Sequence, residues 1–266
     1  MGVISPKFFM KAKKSLGQNF LIDKNVISKI VTEVSACNDD LIVEIGPGRG
    51  ALTKELKKYN SNILCYELDR DLKNILQALE DDKTKIVWQD FLKSNIKEDI
   101  KDIKYNKLFI VGNLPYYITT PIIEHIMDSN INFEKLVIMV QKEVADRFLA
   151  SPHSKEYGYI TVVLNYYFDI SKVTDVSKYA FKPVPKVEST VLRLIPKSNK
   201  EELDFDKYKN FLKTCFKQKR KTLKNNLSGY NWNNIKEILD KHNLNENVRA
   251  EEISGDILIE IFEYSL

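Results

Sequence analysis

Five stretches of this chain carry residue types whose chemistry goes beyond holding a fold. The first is Val111-Gly112-Asn113-Leu114-Pro115-Tyr116-Tyr117. It follows an apolar run, Leu108 to Val111, and precedes helical spacing from about Thr120. In an open α/β sheet, ligands sit outside the carboxyl ends of the strands, so a polar-aromatic turn at that point faces a site. Asn113 brings a carboxamide that both donates and accepts. Pro115 adds a carbonyl without an N–H. Tyr116 supplies a flat apolar face with a polar tip. A turn rich in carbonyls beside an aromatic ring suits a planar group bearing an exocyclic amine, such as adenine. An ordinary strand-to-helix turn uses the same residue types, and the segment alone does not separate the two.

Gly46-Pro47-Gly48-Arg49-Gly50 follows the apolar run Leu41 to Ile45 and leads into Leu52 and Leu56 at helical spacing. Glycines let the backbone turn tightly and approach a ligand, and the helix behind them offers free N–H groups. Glu67 ends the next apolar run, Ile63 to Tyr66. It lies about 20 positions beyond the glycines, where a carboxylate can accept both hydroxyls of a ribose. Together these point to a nucleotide-like ligand. The G-x-G-x-G spacing, and Pro47 where a pyrophosphate would want an N–H, favour S-adenosylmethionine over a nicotinamide dinucleotide. Asp90, after Ile86-Val87-Trp88, can accept from an adenine amine or simply cap a turn. Gln18 and Asn19, ahead of a helix that starts near Asp23, serve equally as caps or as ligand contacts.

The elements that must position these residues alternate in type. Apolar strand runs at 41–45, 63–66, 86–88, 108–111 and 136–140 are separated by helical spacing, which predicts a parallel, doubly wound α/β sheet. Phe168 to Val176 and Ser189 to Leu194 read as two late strands; Ile160 to Tyr167 fits either helix or strand. Between the late strands, Phe181-Lys182-Pro183-Val184-Pro185-Lys186 reads as a stiff loop holding one aromatic out of regular structure, or plugging the space beneath. After Pro196 a polar linker, Ser198 to Asp206, leads to helical patterns only. Lys207, Lys209, Lys213, Lys217, Lys219, Arg220, Lys221 and Lys224 then occur with no acid among them, while Phe211, Leu212, Cys215 and Phe216 make an apolar face. A helix with one packed face and one basic face is the footprint of a nucleic-acid binder. At the amino end Lys7, Lys11, Lys13 and Lys14 make a basic arm or a solvated terminus.

Composition narrows the classes. The 266 residues are 43% hydrophobic and 11% aromatic, ample for a sizeable core, and the net charge of +4 permits a polyanionic partner without demanding one. Three well-separated cysteines without a C-x-x-C pair argue against a disulfide framework or a zinc site and fit a reducing compartment. His125 has no second His or Cys spaced for a metal. No signal-peptide core or membrane-length apolar run is present, so a soluble cytosolic protein is expected.

Taken in order, the blocks resemble the ribosomal RNA adenine N6,N6-dimethyltransferase family, specifically its bacterial small-subunit branch. The resemblance rests on Gly17-Gln18-Asn19-Phe20-Leu21, Glu44-Ile45-Gly46-Pro47-Gly48, Tyr66-Glu67-Leu68-Asp69-Arg70, Gln89-Asp90 and Gly112-Asn113-Leu114-Pro115-Tyr116. It continues through Gln141-Lys142-Glu143-Val144, Phe181 to Ser189, Gln218-Lys219-Arg220-Lys221-Thr222 and Arg249-Ala250-Glu251. It implies a seven-stranded Rossmann-like methyltransferase domain over 1–196 and a small all-α domain over 197–266 that binds RNA or the ribosome. It places Gln18, Asn19 and Leu21 at the methionine end of the cofactor, Gly46 at the loop, Glu67 on the ribose, Asp90 on the adenine amine and Asn113 where cofactor and substrate meet. The target-base pocket maps to Asn113, Leu114, Pro115, Tyr116 and Phe181, with the base stacked between Tyr116 and Phe181. The basic segment assigns RNA contacts to Lys217, Lys219, Arg220, Lys221 and Lys224. The implied partner is small-subunit ribosomal RNA in an immature subunit, engaged by a monomer without a metal. A large-subunit enzyme of the macrolide-resistance type shares these motifs, and a mainly non-catalytic ribosome-assembly factor is the alternative from another class.

Overall fold

A computed structural model describes residues 12, 13, 16–198 and 203–265. Of the amino-terminal lysines only Lys13 falls within it; Lys7, Lys11 and Lys14 lie outside the described residues, as does part of the polar linker after Ser198. The chain runs β1 (Phe20–Leu21), α1 (Lys24–Val34), β2 (Leu41–Ile45), α2 (Ala51–Leu56), β3 (Asn62–Tyr66), α3 (Lys73–Gln77), β4 (Thr84–Val87), α4 (Ile96–Ile100), β5 (Leu108–Asn113), α5 (Thr119–Asp128) and β6 (Lys135–Gln141). It continues through α6 (Lys142–Phe148), α7 (Tyr159–Tyr167), β7 (Phe168–Val176), β8 (Phe181–Lys182) and β9 (Ser189–Pro196), then α8 (Phe205–Cys215), α9 (Leu223–Asn226), α10 (Trp232–Lys241) and α11 (Gly255–Ser265).

Seven strands form one sheet in the order β4-β3-β2-β5-β6-β9-β7. The five expected strands are all present, and β2 through β6 pair in parallel. Their near-continuous apolar runs follow from helices covering both faces: every residue of β2 is buried. Register does the positioning. Ile45 sits opposite Tyr66 on one side and Gly112 on the other, so the residues that follow, Gly46, Glu67 and Asn113, leave adjacent strand ends together.

By packing, the chain divides into two compact units, Met1–Gln141 with Val173–Leu192, and Lys142–Lys172 with Arg193–Leu266. Helices within 142–172 therefore group with the carboxyl-terminal helices, a grouping that a linear division at 196 does not express. In the second unit α7 packs on α6, α8 and α11. The ambiguous run 160–167 is helical, and the Gly158 N–H donates to the Thr161 hydroxyl at its start, 3.2 Å away. The basic stretch is not one helix: α8 stops at Cys215, and residues 216–222 form turns before the four-residue α9. Among the described residues no helix is long and apolar enough to cross a membrane.

Candidate active site

In the first unit a cavity of about 320 Å³ opens at the carboxyl ends of the parallel strands. Its wall takes residues from the glycine loop, from the ends of β3 and β5, from Asp90, and from Leu16 through Ile22. All the cofactor residues expected from the motifs, Gln18, Asn19, Leu21, Gly46, Glu67, Asp90 and Asn113, line it, as do Leu114, Pro115 and Tyr116.

The glycine loop is built by backbone conformation. Gly46, Gly48 and Gly50 have φ of +68°, +58° and +71°, a region that side-chain-bearing residues rarely adopt. A Cβ at Gly46 would meet no atom within 4 Å, so the backbone there borders open cavity. Gly48 is held by Glu67, whose Oε2 accepts its N–H at 3.0 Å, while Oε1 accepts the N–H of Asp69 at 2.8 Å. Burial pushes the Glu67 carboxyl above the ordinary range, and those two N–H groups oppose the shift. Each oxygen keeps a lone pair for a ligand hydroxyl. Asp90 Oδ1 caps the turn by accepting from the Leu92 N–H at 3.1 Å, and the residue also lines the cavity.

Asn113 is oriented unambiguously. Its Nδ2 donates to the backbone carbonyl of Asn19 at 3.0 Å. A carbonyl only accepts, so the amide nitrogen must face it, and Oδ1 remains as the acceptor. The neighbouring carbonyls divide by the turn that follows. Pro115 O accepts from the Ile118 N–H at 3.2 Å and the Thr119 hydroxyl at 3.4 Å. Among the described residues nothing donates to the carbonyl of Leu114. The Tyr116 hydroxyl pairs with Ser189 Oγ at 2.9 Å, which fixes the ring; burial raises that phenol above its usual value.

Phe181 departs from expectation. It is 1% exposed, belongs to the hydrophobic core and is absent from the cavity wall. Residues 181 and 182 do not stand in a loop but form β8, antiparallel to β1, with Leu21 opposite Phe181 and Phe20 opposite Lys182. The ring thus lies in the core behind β1 rather than on the cavity wall.

Gln18 reaches the cavity through a network that sequence reading missed. Its Oε1 accepts from the Lys13 N–H at 2.8 Å and its Nε2 donates to Asp69 Oδ2 at 2.7 Å. Lys13 Nζ lies 2.5 Å from both Asp69 Oδ1 and Asp71 Oδ2. Burial raises the Asp69 carboxyl, but the bonds from Lys13 and Gln18 outweigh it and hold the group below its usual value. Arg49 was also missed: it lines the cavity with its guanidinium 4.2 Å from the centre of the Phe20 ring. A cation inside a glycine loop is the signal that could have found it. Glu44, buried behind the loop, accepts from the Thr53 hydroxyl at 2.7 Å, and burial pushes its carboxyl up to about 7.

In the second unit several of the basic side chains meet acids, some in the same helix and some from distant segments. Lys207 pairs with Asp204 and Lys209 with Asp206, each at 3.0 Å; Lys219 lies 3.5 Å from Glu251 and Lys224 3.0 Å from Glu246. The expected acid-free face is therefore reduced to the exposed Lys213, Lys217, Arg220 and Lys221, which form no ion pair among the described residues. Tyr157 is buried, with its hydroxyl donating to the Ile253 carbonyl at 2.9 Å.

The profile of the family described as "Ribosomal RNA adenine dimethylase" matches residues 9–265. The chain is 42% identical to ribosomal RNA small subunit methyltransferase A of Mycoplasmopsis pulmonis, over 95% of this chain and 98% of that one. It is likewise 42% identical to the protein of that name from Clostridioides difficile, over 93% and 89%. Among solved structures, a dimethyladenosine transferase from Plasmodium falciparum superposes with a TM-score of 0.76 at 23% identity, covering 91% of this chain and 95% of that one. The 23S rRNA methyltransferase ErmE does so at 0.71 and 24%, covering 93% and 99%. These two likenesses are of fold. With a cavity built from the glycine loop, Glu67 and Asn113, and with the profile covering nearly its whole length, the chain belongs to the ribosomal RNA adenine dimethylase family.

Proposed function

We propose that this protein dimethylates the exocyclic N6 of adenines, two adjacent ones, in a hairpin of small-subunit ribosomal RNA, using S-adenosylmethionine, as a step of small-subunit biogenesis in the cytoplasm. The observation that carries the reading is the register that brings Gly46, Glu67 and Asn113 to one edge of the sheet. The residues fit the cofactor: Gly46 borders open space that a side chain would enter, and the Glu67 oxygens face the loop with lone pairs to spare. Glu67 would hold the ribose hydroxyls, Asp90 the adenine amine, and Gln18, Asn19 and Leu21 the methionine end. When bound, the cofactor supplies an electrophilic methyl group on sulfur.

The chain's own residues prepare the acceptor. The N6 amine of adenine is a poor nucleophile because its lone pair is delocalised into the ring. Asn113 Oδ1 and the Leu114 carbonyl are the two acceptors available to its hydrogens, since the Pro115 carbonyl is taken by the turn. Drawing on both hydrogens pulls the nitrogen toward tetrahedral geometry and frees the lone pair. No strong base is required, because the amine proton becomes acidic once the nitrogen is alkylated. Positioning of this kind can lower a barrier by roughly 7–11 kcal/mol. The base must first leave its stack, and the face of Tyr116, held by Ser189, receives it. The helical unit, with Lys217, Arg220 and Lys221 foremost, would hold the RNA backbone.

The test is mass spectrometry of both ribosomal RNAs, from cells lacking the protein, after incubation with cofactor and protein. N6,N6-dimethyladenine confined to small-subunit RNA is expected. Methylation of large-subunit RNA, or none, would overturn the reading.

A further inference from the structure

The segment between β7 and β9 holds an aromatic side chain in solvent on a backbone that is tied down at several points. Tyr179 is 72% exposed. Its N–H donates to Ser177 Oγ at 3.3 Å, and the Lys178 N–H donates to Glu188 Oε2 at 2.8 Å. The next carbonyl, Ala180 O, accepts from the N–H groups of Ile22 at 2.8 Å and Asp23 at 3.3 Å. Ile22 is itself 53% exposed and lines the cavity. Tyr179 therefore stands one residue from a direct backbone bond to the cavity's lip. Tyr117 also lines the cavity and is 61% exposed.

Charge accompanies the ring. Lys178 Nζ lies 5.4 Å from the centre of the Tyr179 ring, and Lys182 and Lys186 follow on the exposed side of the same segment. Between 177 and 188 there are three lysines against one glutamate, and that glutamate is engaged by the Lys178 N–H. Asp23, on the neighbouring segment, has its Oδ1 taken by the N–H groups of Asn25 and Val26 at the start of α1. A preorganised, uncovered aromatic ring flanked by cations is the element that single-stranded nucleic acids use, because every base has a face to stack and every nucleotide a phosphate to neutralise.

We infer that Tyr179, with Lys178 and Lys186, is a platform for the RNA strand beside the target adenine. Its ring stacks a flanking base and the lysines take that strand's phosphates. The inference rests on the function proposed above and adds to it a recognition surface on the sheet unit itself. It assigns the contact to stacking, so Tyr179→Phe should preserve it and Tyr179→Ala should remove it.

The experiment uses the full chain and a small-subunit hairpin RNA carrying 2-aminopurine, in turn, at each position flanking the adenines that the wild type methylates. Wild type and Tyr179→Phe should quench one flanking position on binding. Tyr179→Ala should leave that position bright and bind the RNA about tenfold more weakly, with unchanged affinity for S-adenosylhomocysteine and unchanged thermal midpoint. If Tyr179→Ala matches the wild type in both RNA affinity and quenching, the platform is overturned; a patch serving a protein partner would give that result. If the wild type itself transfers no methyl group to the RNA, the functional reading fails first and the platform with it.

Discussion

The Asn113 side chain donates to the backbone carbonyl of Asn19, 3.0 Å away and 94 positions earlier in the chain. One bond thus does two things. It leaves Oδ1 as the amide's acceptor, and it fastens the amino-terminal wall of the cavity to the end of β5.

That double duty separates two substitutions. Asn113→Ala removes both the acceptor and the fastening, so methyl transfer should fall at least about 100-fold, the scale for losing one preorganised polar group at a reacting centre. Affinity for RNA should stay within about twofold. Asn113→Asp restores an acceptor but sets a carboxylate oxygen against the Asn19 carbonyl. It should therefore also weaken cofactor binding, measurable by calorimetry with S-adenosylhomocysteine. An Asn113→Ala enzyme with near-normal turnover would remove the amide from the chemistry.

Glu44 should make stability depend on pH. Its carboxyl is raised by burial to about 7 in the fold, from an ordinary value of 4.5. The folded state then holds a proton that the unfolded chain releases, so the contribution is complete below about pH 4.5 and is lost as pH rises through about 7. Denaturant midpoints measured from pH 4 to 8 should fall across that window in the wild type and fall less in Glu44→Gln, which keeps the neutral form at every pH. Parallel profiles for the two proteins would show that Glu44 does not titrate in that range.

The basic segment should divide by ion pairing. Replacing Lys217, Arg220 and Lys221 together with alanine should weaken RNA binding and reduce the slope of log affinity against log salt by about one per residue. Lys219→Ala should act differently. Its ammonium pairs with Glu251 and donates to the Lys155 carbonyl at 2.5 Å, so its loss should lower the thermal midpoint and change the salt slope less.

What could be read from the sequence is what local pattern determines. The parallel strands announce themselves because burial on both faces forces continuous apolar runs, and Asp23 is legible as a cap because its two bonds are to residues 25 and 26. Glu67 is legible because the length of a strand-helix-strand unit sets its distance from the glycines. What escaped depends on partners far along the chain. Phe181 looks like a free loop aromatic until β8 finds β1, some 160 residues earlier. Lys219 and Lys224 look unopposed until Glu251 and Glu246 come back beside them. The Lys13–Asp69 pair spans 56 positions, and neither residue type announces it.

The two-residue pairing of β1 with β8 has a thermodynamic corollary. Leu21, on the cavity wall, and Phe181, two residues beyond Tyr179, are partners in one short ladder. A ligand that tightens either strand therefore tightens the other. Such coupling is reciprocal: whatever factor the bound cofactor adds to RNA affinity, bound RNA must add to cofactor affinity. After each transfer the spent cofactor would then be held most firmly while the RNA is still engaged. Exchange of cofactor between successive methylations of one adenine would become the slow step, and partly methylated RNA would let go before it is finished.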